Sequence, residues 1–211
     1  MTEIVLIDRD AGPARASLER CVASGGVAVF PADGLYGLAC DPLNSSAIGR
    51  IDEIKGRDNR KPSAVMYFSP LAMREIVESL GPRTREAIAA LMPGPVTLVV
   101  SNPGLRYPLA CREDAERLGL RLIEGPLAGA MCPILQTSAN RSGRSAPARY
   151  EQIPEAIVEA ADLAIDGGVL TGLPSTVVDV TRLEQQGREE WSVLREGGLP
   201  AAEVARRLSD S

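Results

Sequence analysis

No histidine occurs among the 211 residues. That absence removes Ser-His-Asp and Cys-His catalysis, histidine zinc sites and any imidazole acid or base. Aromatic residues are scarce, with one Trp, four Tyr and two Phe, too few for a platform that stacks many bases. Cys21, Cys40, Cys111 and Cys132 are scattered without a Cys-x-x-Cys pair. Thiolate metal sites are therefore not expected, and isolated thiols fit a reducing compartment. Long apolar runs are also missing. The first apolar stretch, residues 4–7, is too short for a signal peptide or a membrane span, and Asp8 and Asp10 follow at once. A cytoplasmic protein with no membrane attachment is expected. Neither G-x-x-x-x-G-K-[ST] nor G-x-G-x-x-G is present, which excludes a Walker-type ATPase and a dinucleotide fingerprint. Basic residues number 23 against 28 acidic ones, a net charge of −5. That balance argues against a broad electrostatic footprint for nucleic acid but leaves room for a local basic patch.

What is present is globular in character. The chain is 45% hydrophobic and 24% charged, enough to bury a sizeable core in one domain spanning 1–211. Apolar runs predict strands at 4–7, 27–30, 64–68, 96–100, 118–123, 133–137, 163–165, 176–180 and 191–194. Helical patterning predicts helices over 13–24, 45–55, 71–80, 83–92, 151–161 and 201–208, with Pro13 in a first turn and Asn44 or Ser45 as a cap. Pro31 is expected to end its strand and open a Pro/Gly-rich loop over 31–38. Residues 182–190 read as a charged connection between two strands. Strands and helices mix without a regular βαβ rhythm, which favours an α/β fold with a mixed sheet.

Four constellations could carry chemistry. Lys55, Arg57, Arg60 and Lys61 form the densest basic cluster. They suit either a solvated helix C-terminus or a polyphosphate clamp. Thr137-Ser138-Ala139-Asn140-Arg141-Ser142-Gly143 follows a buried strand and offers small donors and acceptors, or simply a self-bonded polar turn. Pro174-Ser175-Thr176 and Leu194-Arg195-Glu196-Gly197 are the other two.

Taken in order, Pro31-x-Asp33-x-x-Tyr36-Gly37-Leu38, Lys55-Gly56-Arg57 with Lys61-Pro62, Pro93-Gly94-Pro95-Val96-Thr97, Arg121, Ser138-Ala139-Asn140-x-Ser142-Gly143, Pro174-Ser175-Thr176-Val177-Val178-Asp179 and Leu194-Arg195-Glu196-Gly197 resemble the YrdC-like family of threonylcarbamoyl-adenylate synthases. The motifs run from about 27 to 198. The resemblance implies a single twisted α/β mixed-sheet domain with a central, positively lined cavity. It implies threonylcarbamoyl-AMP and pyrophosphate made from L-threonine, bicarbonate or CO2, and ATP. Mg²⁺ would bridge the phosphates. A downstream tRNA threonylcarbamoyl transferase would place the group on the adenosine beside the anticodon, and any direct tRNA contact would be weak.

Carried over by motif, Lys55, Arg57, Lys61, Asn140 and Arg195 would contact nucleotide, and Arg121, Ser138 and Ser175 the amino acid. Lys55 and Arg57 would meet transition-state charge, with Ser138 and Asn140 orienting the reactants. The sequence departs from the family pattern in the amino-acid half. Ala32 and Gly34 stand where hydroxyl side chains are usual, Met66 where a histidine is common, and Gly125-Pro126 where His-Pro is usual. Arg117 is an added cation. Gly34 and Met66 are therefore substrate-side candidates, and an altered amine or a non-catalytic RNA- or nucleotide-binding protein are the alternatives.

Overall fold

The computed structural model describes residues 1–7, 10–56, 61–185 and 191–210. Ten strands form one sheet: β1 (Glu3–Leu6), β2 (Ala28–Ala32), β3 (Leu35–Cys40), β4 (Ala64–Tyr67), β5 (Val96–Ser101), β6 (Arg117–Leu122), β7 (Ile134–Ser138), β8 (Leu163–Asp166), β9 (Thr176–Asp179) and β10 (Ser192–Arg195). Their spatial order is β1-β8-β2-β3-β7-β4-β6-β5-β9-β10. The pairs β1/β8, β2/β8, β4/β6 and β5/β9 are parallel, and the other five are antiparallel. This is the mixed sheet that the irregular rhythm predicts.

Seven helices complete the described chain: α1 (Gly12–Ala23), α2 (Ser45–Lys55), α3 (Pro70–Glu78), α4 (Pro82–Leu91), α5 (Pro108–Cys111), α6 (Glu155–Ala160) and α7 (Ala201–Ser209). The capping logic holds for α2. Asn44 accepts from the Ala47 amide at 3.0 Å, and Gly56 closes the helix at φ +55°.

The loop expected over 31–38 is instead a tight hairpin. β2 pairs with β3 from Ala28↔Ala39 to Ala32↔Leu35, leaving Asp33 and Gly34 as the turn. Pro31 stays in the strand because β8 pairs only with Ala28 and Val29, so no ladder donor is needed at position 31 on that side. The turn has an uncommon division of labour. Asp33, not the glycine, takes the positive φ of +77°. Gly34 is required for a different reason: a Cβ there would lie 2.0 Å from the Leu173 carbonyl oxygen and 2.7 Å from Thr171 Oγ1. The helix expected over 151–161 is a 3-10 turn at Tyr150–Gln152 followed by α6, since Pro154 interrupts it.

Side chains alternate across the strands, so each strand feeds both faces. On one face Val65, Leu98, Leu120, Leu135 and Val178 join apolar residues of α2 to α7 in the larger core. On the other, α1 covers only part of the sheet, packing Ala14, Leu18, Cys21 and Val22 on Phe30, Met66, Phe68, Ile123 and Ile134. The rest of that face lies under loops.

Candidate active site

The incompletely covered face contains a cavity of about 500 Å³. Its floor is a row of small residues on adjacent strands. Gln136 pairs with Ala64, and Val99 with Gly119. A Cβ on Gly119 would stand 3.5 Å from that of Ala64, so the floor is low because side chains are short. Ser138, Ala146, Pro174, Ser175 and Arg195 contribute to the walls.

Arg121 lies on β6, register-paired with Met66. Only 4% of Arg121 is exposed. Its guanidinium donates to Asp33 Oδ2 at 3.1 Å and to Gln136 Oε1 at 3.3 Å, while Nε, buried, has no hydrogen-bond partner. Burial pulls the Arg121 pKa down to about 10, opposed by Asp33 and reinforced by Arg195. Asp33 is raised, because burial outweighs the pull of Arg121. Both shifts run toward the neutral forms, so the pair contributes little to folding.

Arg117 also lines the cavity. It donates to Asp179 and stands 3.5 Å from Asp114. The third cavity arginine differs: Arg195 donates to the Ser175 carbonyl at 2.8 and 3.2 Å and to Ser175 Oγ at 3.2 Å, with no carboxylate partner among the described residues. Burial lowers its pKa.

The two motifs that meet here are joined by buried polar contacts. Thr97 Oγ1 and Ser175 Oγ are 2.8 Å apart. Thr176 Oγ1 accepts from the amides of Gly197 at 2.9 Å and Leu199 at 3.0 Å, and donates to the Leu199 carbonyl. A Cβ on Gly197 would fall 2.2 Å from the Pro174 carbonyl oxygen, so this close approach needs glycine. Tyr36 serves the scaffold too. Its hydroxyl accepts from the Gly167 amide at 2.9 Å, lies 2.8 Å from the Gly168 carbonyl oxygen, and has its pKa pushed by burial to about 12.

Of the residues singled out in the sequence, Arg121, Ser138, Ser175 and Arg195 line one cavity. Four positions are placed differently. Lys55 is buried, and its ammonium donates to the Ser138 carbonyl and to the Asn140 carbonyl at 2.8 Å. Asn140 turns its amide onto the carbonyls of Arg141, at 3.0 Å, and Arg144. Both therefore hold the turn after β7 and do not line the hollow. Met66 is wholly buried in the α1-side core, and Gly34 has its side-chain space filled by residues 171 and 173. Lys61 is exposed just before the lining residues Pro62 and Ser63. Arg57 lies outside the described residues.

Gln136 and Asp114 line the cavity without having been singled out. Gln136 was detectable: it shares a strand face with Ile134 and Ser138, a polar residue where alternation predicts burial. Asp114 sits in an irregular loop, where no periodicity reports on it. Among the described residues no three His, Cys, Asp or Glu side chains are grouped to hold a metal ion. No described helix is long and apolar enough to cross a membrane.

The fold is thus a mixed α/β sheet with one face sealed by helices and the other hollowed beneath arginines and small polar residues, a setting suited to an anion. A family model for the Sua5, YciO and YrdC proteins, described as telomere recombination, matches residues 20–197. The chain belongs to that family. Threonylcarbamoyl-AMP synthase of Pyrococcus abyssi is 30% identical over 201 residues, covering 90% of this chain and 55% of the relative. The protein of the same name from Thiobacillus denitrificans is 31% identical over 173 residues, covering 79% and 91%. The crystal structure of P. abyssi Sua5 complexed with L-threonine superposes with a TM-score of 0.83 at 24% identity, covering 98% of this chain and 60% of that one. The chain thus spans little more than half of the archaeal protein's length.

Proposed function

We propose that this protein forms threonylcarbamoyl-AMP and pyrophosphate from L-threonine, bicarbonate or CO2, and ATP. The observation that carries the reading is the convergence of Arg121, Ser138, Ser175 and Arg195 on one cavity. The same name on relatives near 30% identity supports it. No side-chain nucleophile is required. Threonine's amine, once carboxylated, presents a carbamate oxygen that attacks the α-phosphorus as the bond to pyrophosphate breaks. The protein's part is orientation and positive charge. Arg121 suits a carboxylate, being a buried guanidinium with a donor still unused. Ser138 and Ser175 offer hydroxyls along the wall of the hollow. Arg195, bonded only to neutral oxygens of Ser175, retains its full charge for phosphate. Arg57 and Lys61 we assign to the same phosphate side.

Magnesium belongs in this reading to the triphosphate and its waters. The described cavity wall offers it no cage, because its one lining carboxylate is Asp114, which stands 3.5 Å from Arg117. Residues 1–211 act as one unit in the cytoplasm, and a tRNA threonylcarbamoyl transferase consumes the product. The test is incubation with ATP, bicarbonate and threonine, followed by assay of pyrophosphate and threonylcarbamoyl-AMP. Product no greater than that of Arg195→Ala would reject the reading.

One observation favours a second reading, the same adenylation with another small amine. At the hairpin tip, Gly34 leaves no room for a hydroxyl side chain, and exposed Leu173 forms part of the cavity wall. A panel of amino acids in the pyrophosphate assay separates the two. Faster turnover with an apolar amino acid than with threonine would select the second.

A further inference from the structure

The turn after β7 is built from inside. The Lys55 ammonium reaches the carbonyls of Ser138 and Asn140, and the Ser142 amide donates to the Lys55 carbonyl at 3.0 Å. The Asn140 amide then ties down the carbonyls of Arg141 and Arg144. Two polar side chains, each less than a tenth exposed, are thus spent on fixing a loop whose own side chains point outward. Arg141 and Arg144 are exposed, and the loop that bears them runs between the cavity-lining residues Ser138 and Ala146.

Several arginines elsewhere are matched: Arg112 with Asp52 at 2.8 Å, Arg50 with Asp162 at 2.8 Å, Arg106 with Glu75 at 2.7 Å. Arg141 and Arg144 make no side-chain hydrogen bond or ion pair with the described residues. In a chain of net charge −5, two exposed guanidiniums three positions apart, with no ion-pair partner among the described residues, stand on an internally braced loop between cavity-lining residues and suit a multiply charged anion.

We infer that Arg141 and Arg144 contact the β- and γ-phosphates of the nucleoside triphosphate, and that Lys55 and Asn140 are positioning residues that aim them. This rests on the adenylation reading given above. It moves part of the polyphosphate site from the buried lysine to two arginines that the lysine supports.

The experiment is calorimetric titration of the full chain with Mg-ATP and, separately, with AMP. The wild type is expected to bind ATP more tightly than AMP. Arg141→Ala/Arg144→Ala is expected to lose ATP affinity by about 10- to 100-fold, the size of one or two charge-assisted hydrogen bonds, with AMP affinity unchanged. The lysine double variant should keep most of the ATP preference. Asn140→Ala should show the same selective loss, with faster amide exchange over 141–144. Equal ATP affinity in wild type and alanine variant would overturn the inference alone, as would equal losses for ATP and AMP. A variant that loses tRNA binding but keeps ATP affinity would assign the loop to RNA and overturn it too. A wild type that binds neither nucleotide would overturn the adenylation reading together with this one.

Discussion

Leu120 and Arg121 are neighbours on β6, both almost fully buried, yet they belong to different worlds. Leu120 enters the helix-covered core with Leu98 and Val65. Arg121 faces the hollow, held by Asp33 and Gln136. Burial alone therefore says nothing about role. What separates the two faces is the partner: apolar atoms on one, and on the other a carboxylate whose own ionisation burial opposes. One face stores stability, and the other holds charge at a cost to it.

The largest effect should come from the sealed face. Leu120→Ala is expected to cost about 2–5 kcal/mol by chemical denaturation, while the folded fraction keeps its turnover. If turnover per folded molecule also collapses, the division between faces is wrong. On the open face, Arg121→Met should remove about 2–5 kcal/mol of amino-acid affinity. Adding Asp33→Asn should bring stability back to within about 1 kcal/mol of wild type without restoring activity. A double variant that regains threonine binding would show that the pair is not the carboxylate site.

Gly34→Ala should destabilise by about 1–3 kcal/mol, because the new methyl must displace the Leu173 carbonyl. Removing the Tyr36 hydroxyl, which orders residues 166–168, should cost about 1–2 kcal/mol in a Tyr36→Phe variant. The smallest effect is a pH dependence. Asp33 is raised above its usual 3.8, so the folded state binds its proton before the unfolded state does. As pH falls from its folded value toward 3.8, stability should rise in the wild type relative to Asp33→Asn. Urea melts across that window measure it, and the opposite slope would mean that Arg121 dominates.

Much of this arrangement could be read in the sequence, for identifiable reasons. Strands with continuous apolar runs, such as β5 and β8, and a helix with an Asn cap and a Gly stop, such as α2, are local patterns. The β2–β3 hairpin was not legible. Pro31 and Gly34 look like loop residues, and only the short reach of β8 and the position of Leu173 explain why both fit there. At the site, the motifs grouped Arg121, Ser138, Ser175 and Arg195, and these four line one cavity. They could not show that Lys55 and Asn140 spend hydrogen bonds on carbonyls, because a sequence reveals a donor but not the direction in which it points. Met66 was misread for a similar reason: its strand face is the right one, but α1 covers it two residues along from Ala64.

The row Ala64, Gly119 and Val99 has a wider consequence. The hollow is carved by leaving atoms out, while the strands beneath keep their ladder. Guest size can therefore be retuned one methyl group at a time without rebuilding the framework. A lineage bearing this sheet could drift from one small metabolite to another while its architecture stayed still.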